Sequence, residues 1–207
     1  MKLCVFDFDS TLIDGETIDF LASAYGAGRE VAAITQEAME GGLDFFEALN
    51  RRVAMLKGME VSRVKEICEC LPMMNGAVEC VATLKRKGLI VVILSGGFHD
   101  ATDYVGKTLG VDATFANILH QKNGVLTGLV GGEMLFGNSK GAMLRRIQGL
   151  LKITPEETIA IGDGANDRAM FAHSGVSIAF CAKEILKREA SAIVDTPDLR
   201  AVLPYIG

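Results

Sequence analysis

"KLCVFDFDST" (residues 2–11) joins an apolar run, Leu3 to Phe6, to two acids, Asp7 and Asp9. The run is short and has little polar alternation, so it reads as a strand covered on both faces. Comparable runs recur at "GLIVVILSGG" (88–97), "ETIAIGDG" (157–164), "GVSIAF" (175–180) and "SAIVD" (191–195). Segments with helical spacing lie between them: "HDATDYVGKTLG", "KGAMLRRIQGLL", "NDRAMFAHSG" and "AKEILKREA". Strands alternating with helices predict an α/β fold, a three-layer, doubly wound (Rossmann-like), mainly parallel sheet.

One interval breaks the alternation. From about 15 to 75 the chain reads as consecutive helices: "TIDFLASAYG", with Ile18, Leu21, Ala22 and Tyr25 on one stripe, then "REVAAITQEAMEG", "LDFFEALNRRVAMLKG" and "VSRVKEICECL". The expected organisation is a catalytic core of residues 1–14 and 76–207 with an all-helical cap, 15–75, inserted after the first strand. A hairpin is expected within 115–135, around Asn123-Gly124.

Composition narrows the function. With 207 residues, 49% of them hydrophobic and 23% charged, the chain is expected to pack. The charge is 21 − 26 = −5 and the basic residues are scattered, so nucleic acid is not an expected partner. No apolar run approaches the ~20 residues of a membrane span. The five cysteines are an odd set and the N-terminus shows no signal-peptide pattern, so reduced thiols in a cytoplasmic protein are expected. Cys68 and Cys70, two apart on a predicted helix, point to different sides and do not suit zinc. A monomer or homodimer is expected.

In an open parallel sheet, ligands sit beyond the carboxyl ends of the strands. Here those ends carry Asp7-Phe8-Asp9-Ser10-Thr11, Ser95-Gly96-Gly97 and Gly162-Asp163-Gly164-Ala165-Asn166-Asp167, with Lys140 opening a helix between the last two. Four carboxylates gathered without a cation would repel one another, so a divalent metal is implied, and an oxygen-only ligand set favours Mg²⁺. Ser95, the Gly96 amide, Lys140 and the metal suit a phosphoryl group. Taken singly, each motif has a plainer reading: Asp7 and Asp9 as a turn acid and a helix cap, "GDGAND" as an ordinary turn. A calcium loop is excluded, because Leu12 and Ile18 stand where glycine and glutamate are needed. His99, His120 and His173 have no partner pattern.

In their order, "DFDST", "SGG", Lys140 and "GDGAND" resemble the signature motifs of the haloacid dehalogenase superfamily of phosphatases. The acid two residues after the first excludes the dehalogenases themselves. "DFDSTLIDGETIDF", "AMEGGLDFFEALNRRVAML", "ILSGGF" and "IAIGDGANDRAMF" are similar to its phosphoserine phosphatase branch. The resemblance implies Asp7 as nucleophile, forming an aspartyl-phosphate, and Asp9 as general acid and then base. It implies Mg²⁺ held by Asp7, the Asp9 carbonyl and Asp163, with Asp167 close behind. Ser95, Gly96, Lys140 and Asn166 would grip the phosphoryl oxygens. On the cap, Glu16 and Arg52 match positions that would read an ammonium and a carboxylate, and Phe45 one that closes the site; they also suit a helix cap, exposed helix surface and core. The expected reaction is hydrolysis of O-phospho-L-serine to L-serine and phosphate, the last step of serine biosynthesis. The alternatives are a phosphatase or phosphotransferase for another small phosphomonoester such as phosphohomoserine, and a non-enzymatic phospho-acceptor domain. Asp9 and the helical insert favour the enzyme.

Overall fold

The computed structural model describes residues 1–206. Its seven strands are β1 (Leu3–Phe6), β2 (Ile90–Phe98), β3 (Ala113–Lys122), β4 (Val125–Gly132), β5 (Thr158–Gly162), β6 (Val176–Phe180) and β7 (Ala192–Val194). They form one sheet in the order β4-β3-β2-β1-β5-β6-β7, every neighbouring pair parallel except β3 and β4. The winding reverses at β1, which pairs with β2 on one side (Leu3 opposite Ile90) and with β5 on the other (Leu3 opposite Thr158). The predicted doubly wound architecture is the one observed, and its switch point opens a crevice beyond Phe6.

The helices are α1 (Thr17–Tyr25), α2 (Gly28–Met39), α3 (Phe45–Ala54), α4 (Val61–Glu69), α5 (Ala77–Arg86), α6 (His99–Leu109), α7 (Ser139–Leu151), α8 (Arg168–Phe171) and α9 (Glu184–Lys187). Alternate residues of β1 enter different layers. Leu3 and Val5 pack with Met143, Leu144 and Ile147 of α7, Phe171 of α8 and Leu186 of α9. Cys4 and Phe6 join Val81 and Leu84 of α5, Val105 of α6 and, from the C-terminal 3-10 turn, Leu199 and Val202. The apolar residues of α1 to α4, among them Leu21, Val31, Leu49 and Val64, belong to this second cluster. The inserted helices are thus anchored on one face of the sheet.

Several details depart from the sequence expectation. α5 falls outside the segments read as helical, although Ala77, Cys80, Val81 and Leu84 fill a helical stripe and are buried. β2 runs through Ser95-Gly96-Gly97 to Phe98, with an irregular register against β3 between Leu94 and Phe98. β3 pairs parallel with β2 before turning antiparallel to β4. The turn between β3 and β4 is as expected: Asn123 (φ 52°) and Gly124 (φ 79°) are both left-handed. α8 and α9 are single turns; Asn166 and Asp167 lie in a 3-10 turn ahead of α8, where an Asp167 carboxylate oxygen accepts the amides of Asp163 and Gly164.

Two backbone connections tie the insert to the rest. Residues 12–14 and 72–74 pair as a short antiparallel neck, with Ile13 opposite Met73 and the Met74 amide donating to the Leu12 carbonyl. The tip of the β3–β4 hairpin bonds to the segment after α3, through Gly58 N–H to Leu126 O and Val61 N–H to Gly124 O. No helix among the described residues is long and apolar enough to cross a membrane. All five cysteines are free, and burial pushes the Cys68 and Cys80 thiols up to about 12.

Candidate active site

β1 ends by delivering Asp7 into the switch-point crevice, its amide still held by the Ile161 carbonyl at 2.8 Å. Asp7 Oδ1 accepts from the Phe8 amide at 2.6 Å and lies 2.6 Å from Lys140 Nζ. Among the described residues Oδ2 has no hydrogen-bond partner, so one oxygen is fixed and the other is free. Lys140, on the first turn of α7 and only 2% exposed, also reaches Asp167 Oδ1 at 2.7 Å. Burial works against its charge, yet Asp167 and Asp7 hold its ammonium above the usual lysine range. Asp7 is pushed well up by burial and by Asp167, with Lys140 opposing.

Asp9 is occupied differently. Its Oδ1 accepts from the Thr17 amide at 2.7 Å and the Thr17 hydroxyl at 2.6 Å, tying the start of α1 to the end of β1. A β-carbon on Gly97 would stand 2.7 Å from Asp9 Oδ2, so only glycine leaves this carboxylate its place. Burial and the Glu16 charge push Asp9 up to about 7, against the Thr17 hydrogen bonds. Ser10, at φ 56°, turns the chain so that its hydroxyl donates to Glu16 Oε1 at 2.9 Å.

Asp7, Asp163 and Asp167 each offer an oxygen within 4.8 Å of the others. Oxygens on opposite sides of a small divalent cation, ~2.1 Å from it, lie ~4.2 Å apart, so the spacing suits such an ion. The charges agree: burial, then Asp167 and Glu16, push Asp163 up to about 7, and Lys140 alone is buried among these carboxylates as a counter-charge. A divalent metal would supply the missing positive charge. Both Asp167 oxygens already accept hydrogen bonds, one from Lys140 and one from the Asp163 and Gly164 amides, which leaves it a place behind the other two.

Above this floor is a cavity of about 350 Å³. The floor side contributes Asp7, Asp9, Asp163, Asn166, Gly96 and Gly97; the inserted helices contribute Glu16, Phe45 and Arg52, with Ile18, Met39 and Leu49 as apolar wall. Phe45 lies over Gly96 so closely that a β-carbon there would meet its Cζ at 2.9 Å. Ser95 is buried behind the cavity wall, its oxygen accepting the Gly97 amide at 2.9 Å. Beside the cavity, Phe46 of α3 stacks on Phe136, ahead of α7, with ring centroids 5.3 Å apart. The residues singled out in the sequence thus converge. Lys140, Ser95 and Asp167 form the backing of the cavity and the others its lining.

This geometry has close counterparts. A model of haloacid dehalogenase-like hydrolases matches residues 1–175. The chain belongs to the haloacid dehalogenase-like hydrolase family. This hydrolase is 58% identical over 206 residues, covering 100% of both chains, to a phosphoserine phosphatase of Wolinella succinogenes. It is 46% identical over 205 residues, 99% of this chain and 97% of the other, to a phosphoserine phosphatase of Methanocaldococcus jannaschii. A solved structure described as a substrate-bound phosphoserine phosphatase complex matches with TM-score 0.95 at 45% identity, covering 100% of this chain and 98% of that one. Another, described as a phospho-aspartyl intermediate analogue of phosphoserine phosphatase, matches with TM-score 0.94 at 46% identity, covering 100% and 99%.

Three residues of this hydrolase's site were not singled out in the sequence. Thr17 fixes Asp9, and only its place at the start of a predicted helix marked it. Asn117, fully buried on β3, donates through Nδ2 to the Gly96 carbonyl at 3.0 Å and exchanges hydrogen bonds with the Met134 backbone. It braces the Gly96 segment from behind, yet in "FANILHQK" it reads as one more strand residue. Lys183 lines the cavity from the loop after β6.

Proposed function

We propose that this chain hydrolyses O-phospho-L-serine to L-serine and phosphate, with Mg²⁺ as its metal and an aspartyl-phosphate on Asp7 as intermediate. The observation that carries it is the cavity itself: a free carboxylate oxygen at the floor, faced by an acid and an arginine from the inserted helices. The full-length relatives named as phosphoserine phosphatases support it. Phosphoserine has a phosphate to give to the floor, an ammonium for Glu16 and a carboxylate for Arg52, whose planar fork can bind both oxygens.

In this reading Asp7 Oδ2 attacks phosphorus while Lys140 and the Phe8 amide hold Oδ1, so the nucleophile enters already oriented. Ser95, the Gly96 amide, Lys140 and Asn166 take the phosphoryl oxygens. Asp9, raised to about 7, retains a protonated fraction at neutral pH and gives its proton to the departing serine oxygen. It then takes a proton from the water that attacks the aspartyl-phosphate, releasing phosphate and restoring Asp7. Mg²⁺, held by Asp7, the Asp9 carbonyl and Asp163 with Asp167 behind them, would neutralise phosphoryl charge. Residues 15–75 act as a cap on the core of 1–14 and 76–207, moving about the neck at Ile13 and Met73 and excluding bulk water. The enzyme works in the cytoplasm with its thiols reduced.

The test is phosphate release from a panel of small phosphomonoesters, with Mg²⁺ or with chelator. Phosphoserine is expected to be the preferred substrate, and chelator to abolish turnover; preference for another ester, or full activity without metal, counts against it. For the cap, Arg52→Ala is expected to raise KM for phosphoserine about 10- to 100-fold, the worth of a lost charge-assisted hydrogen bond. KM for an aryl phosphate lacking a carboxylate should change little. Equal effects on both would remove Arg52 from substrate reading.

A further inference from the structure

Two side-chain cations line the cavity, Arg52 from α3 and Lys183 from the loop after β6. Neither is in a salt bridge among the described residues. Lys140 is already committed to Asp7 and Asp167.

The chain goes to some length to bring Lys183 there. After β6 it turns at Cys181, whose φ of 44° lies in the left-handed region that a side chain disfavours. The Cys181 amide is held by the Val194 carbonyl at 2.7 Å, Ala182 is buried, and the Lys183 amide donates to the Asp163 carbonyl at 2.9 Å. Lys183 is thereby fixed by its backbone beside a floor carboxylate, while its side chain stays exposed. Its place is on the core wall with Asp163; Arg52 is on the cap wall.

The electrostatic setting gives such a cation a task. The cavity is lined by Asp7, Asp9, Glu16 and Asp163 in a chain of net charge −5, and a phosphomonoester arrives as a dianion. Lys140 and a bound Mg²⁺ would offset the floor carboxylates only at depth, so a dianion approaching the cavity gains from a cation nearer to solvent. An exposed ammonium on a flexible stem can meet the phosphate outside and follow it inward, which a buried, doubly paired Lys140 cannot.

We propose that Lys183 is a substrate-positioning residue, the outer cation that draws the phosphate of the incoming ester to the floor. It rests on the cavity's being a phosphomonoester site. The test compares Mg²⁺-loaded wild type, Lys183→Gln and Lys183→Arg in two measurements. The first is kcat and KM for phosphoserine across a series of ionic strengths; the second is the affinity for inorganic phosphate by calorimetry.

Lys183→Gln is expected to raise KM about fivefold with a much smaller effect on kcat, to flatten the salt dependence of kcat/KM, and to weaken phosphate binding similarly. Lys183→Arg should restore most of each. Wild-type KM, salt dependence and phosphate affinity in Lys183→Gln would overturn the proposal. So would a fall in kcat alone that Arg does not rescue, which would mean that the side chain supports the packing of its loop and not the capture of phosphate; the Lys183 amide still donates to the Asp163 carbonyl in either variant. If wild type proves inactive on phosphoserine while Lys183→Gln still weakens phosphate binding, the substrate assignment falls and the role of Lys183 stands.

Discussion

Asp7→Asn is expected to lower phosphoserine turnover by about 10⁴-fold or more, with the fold retained. The amide has nearly the shape of the carboxylate, but its nitrogen and carbonyl oxygen are poor nucleophiles toward phosphorus. Two structural consequences oppose each other. The variant weakens a contact to Lys140 at 2.6 Å, and it relieves the burial and the repulsion from Asp167 that push Asp7 up. Lys140 keeps Asp167 as its partner at 2.7 Å, so no buried charge is left alone. The melting temperature should therefore move little while activity vanishes. Retained turnover in a folded variant would remove Asp7 from the chemistry.

Lys140→Met should damage both rate and stability. The substitution keeps the stem and removes the charge, leaving Asp7 and Asp167 buried together. Stripping one partner from such a cluster costs about 3–5 kcal/mol, and loss of a phosphoryl-binding cation about 10²- to 10³-fold in kcat/KM. The pH dependence has a definite sign. Asp7 already titrates above its ordinary value, and without Lys140 it rises further. A carboxyl whose folded pKa exceeds its unfolded value of ~4 gives stability that is fully present below that value and lost as pH climbs through the folded pKa. The deficit of metal-free Lys140→Met relative to metal-free wild type should thus be small near pH 5 and large at pH 8. Denaturant melts at the two pH values would show it. A deficit equal at both would mean that Lys140 acts by packing, not by charge.

Most of this arrangement was legible because it is written in contiguous stretches. The apolar run before Asp7 and "GDGAND" after Ile161 mark strand ends, and "SGG" lies within the last residues of β2, so parallel topology brings them together. Glu16, Phe45 and Arg52 could be matched by resemblance, and the structure puts all three on the cavity wall. What escaped depends on partners distant in sequence. Asn117 matters because the Gly96 carbonyl and the Met134 backbone come within reach of its amide, and nothing near residue 117 announces either. Lys183 is one lysine among several until the turn at Cys181 brings its amide to Asp163. α5 carries a readable stripe, Ala77, Cys80, Val81 and Leu84, just beyond the inserted helices. α8 is shorter than its periodicity suggested: Asn166 and Asp167 fall in a 3-10 turn and the helix ends at Phe171. The neck at Ile13 and Met73 joins residues sixty apart, so local pattern could not reveal it.

The most direct test of the account is phosphate release from O-phospho-L-serine by the purified chain, with Mg²⁺ and again after chelation, beside other small phosphomonoesters. Release is expected to favour phosphoserine and to stop on removal of the metal. Indifference to phosphoserine, or undiminished release in chelator, would contradict it.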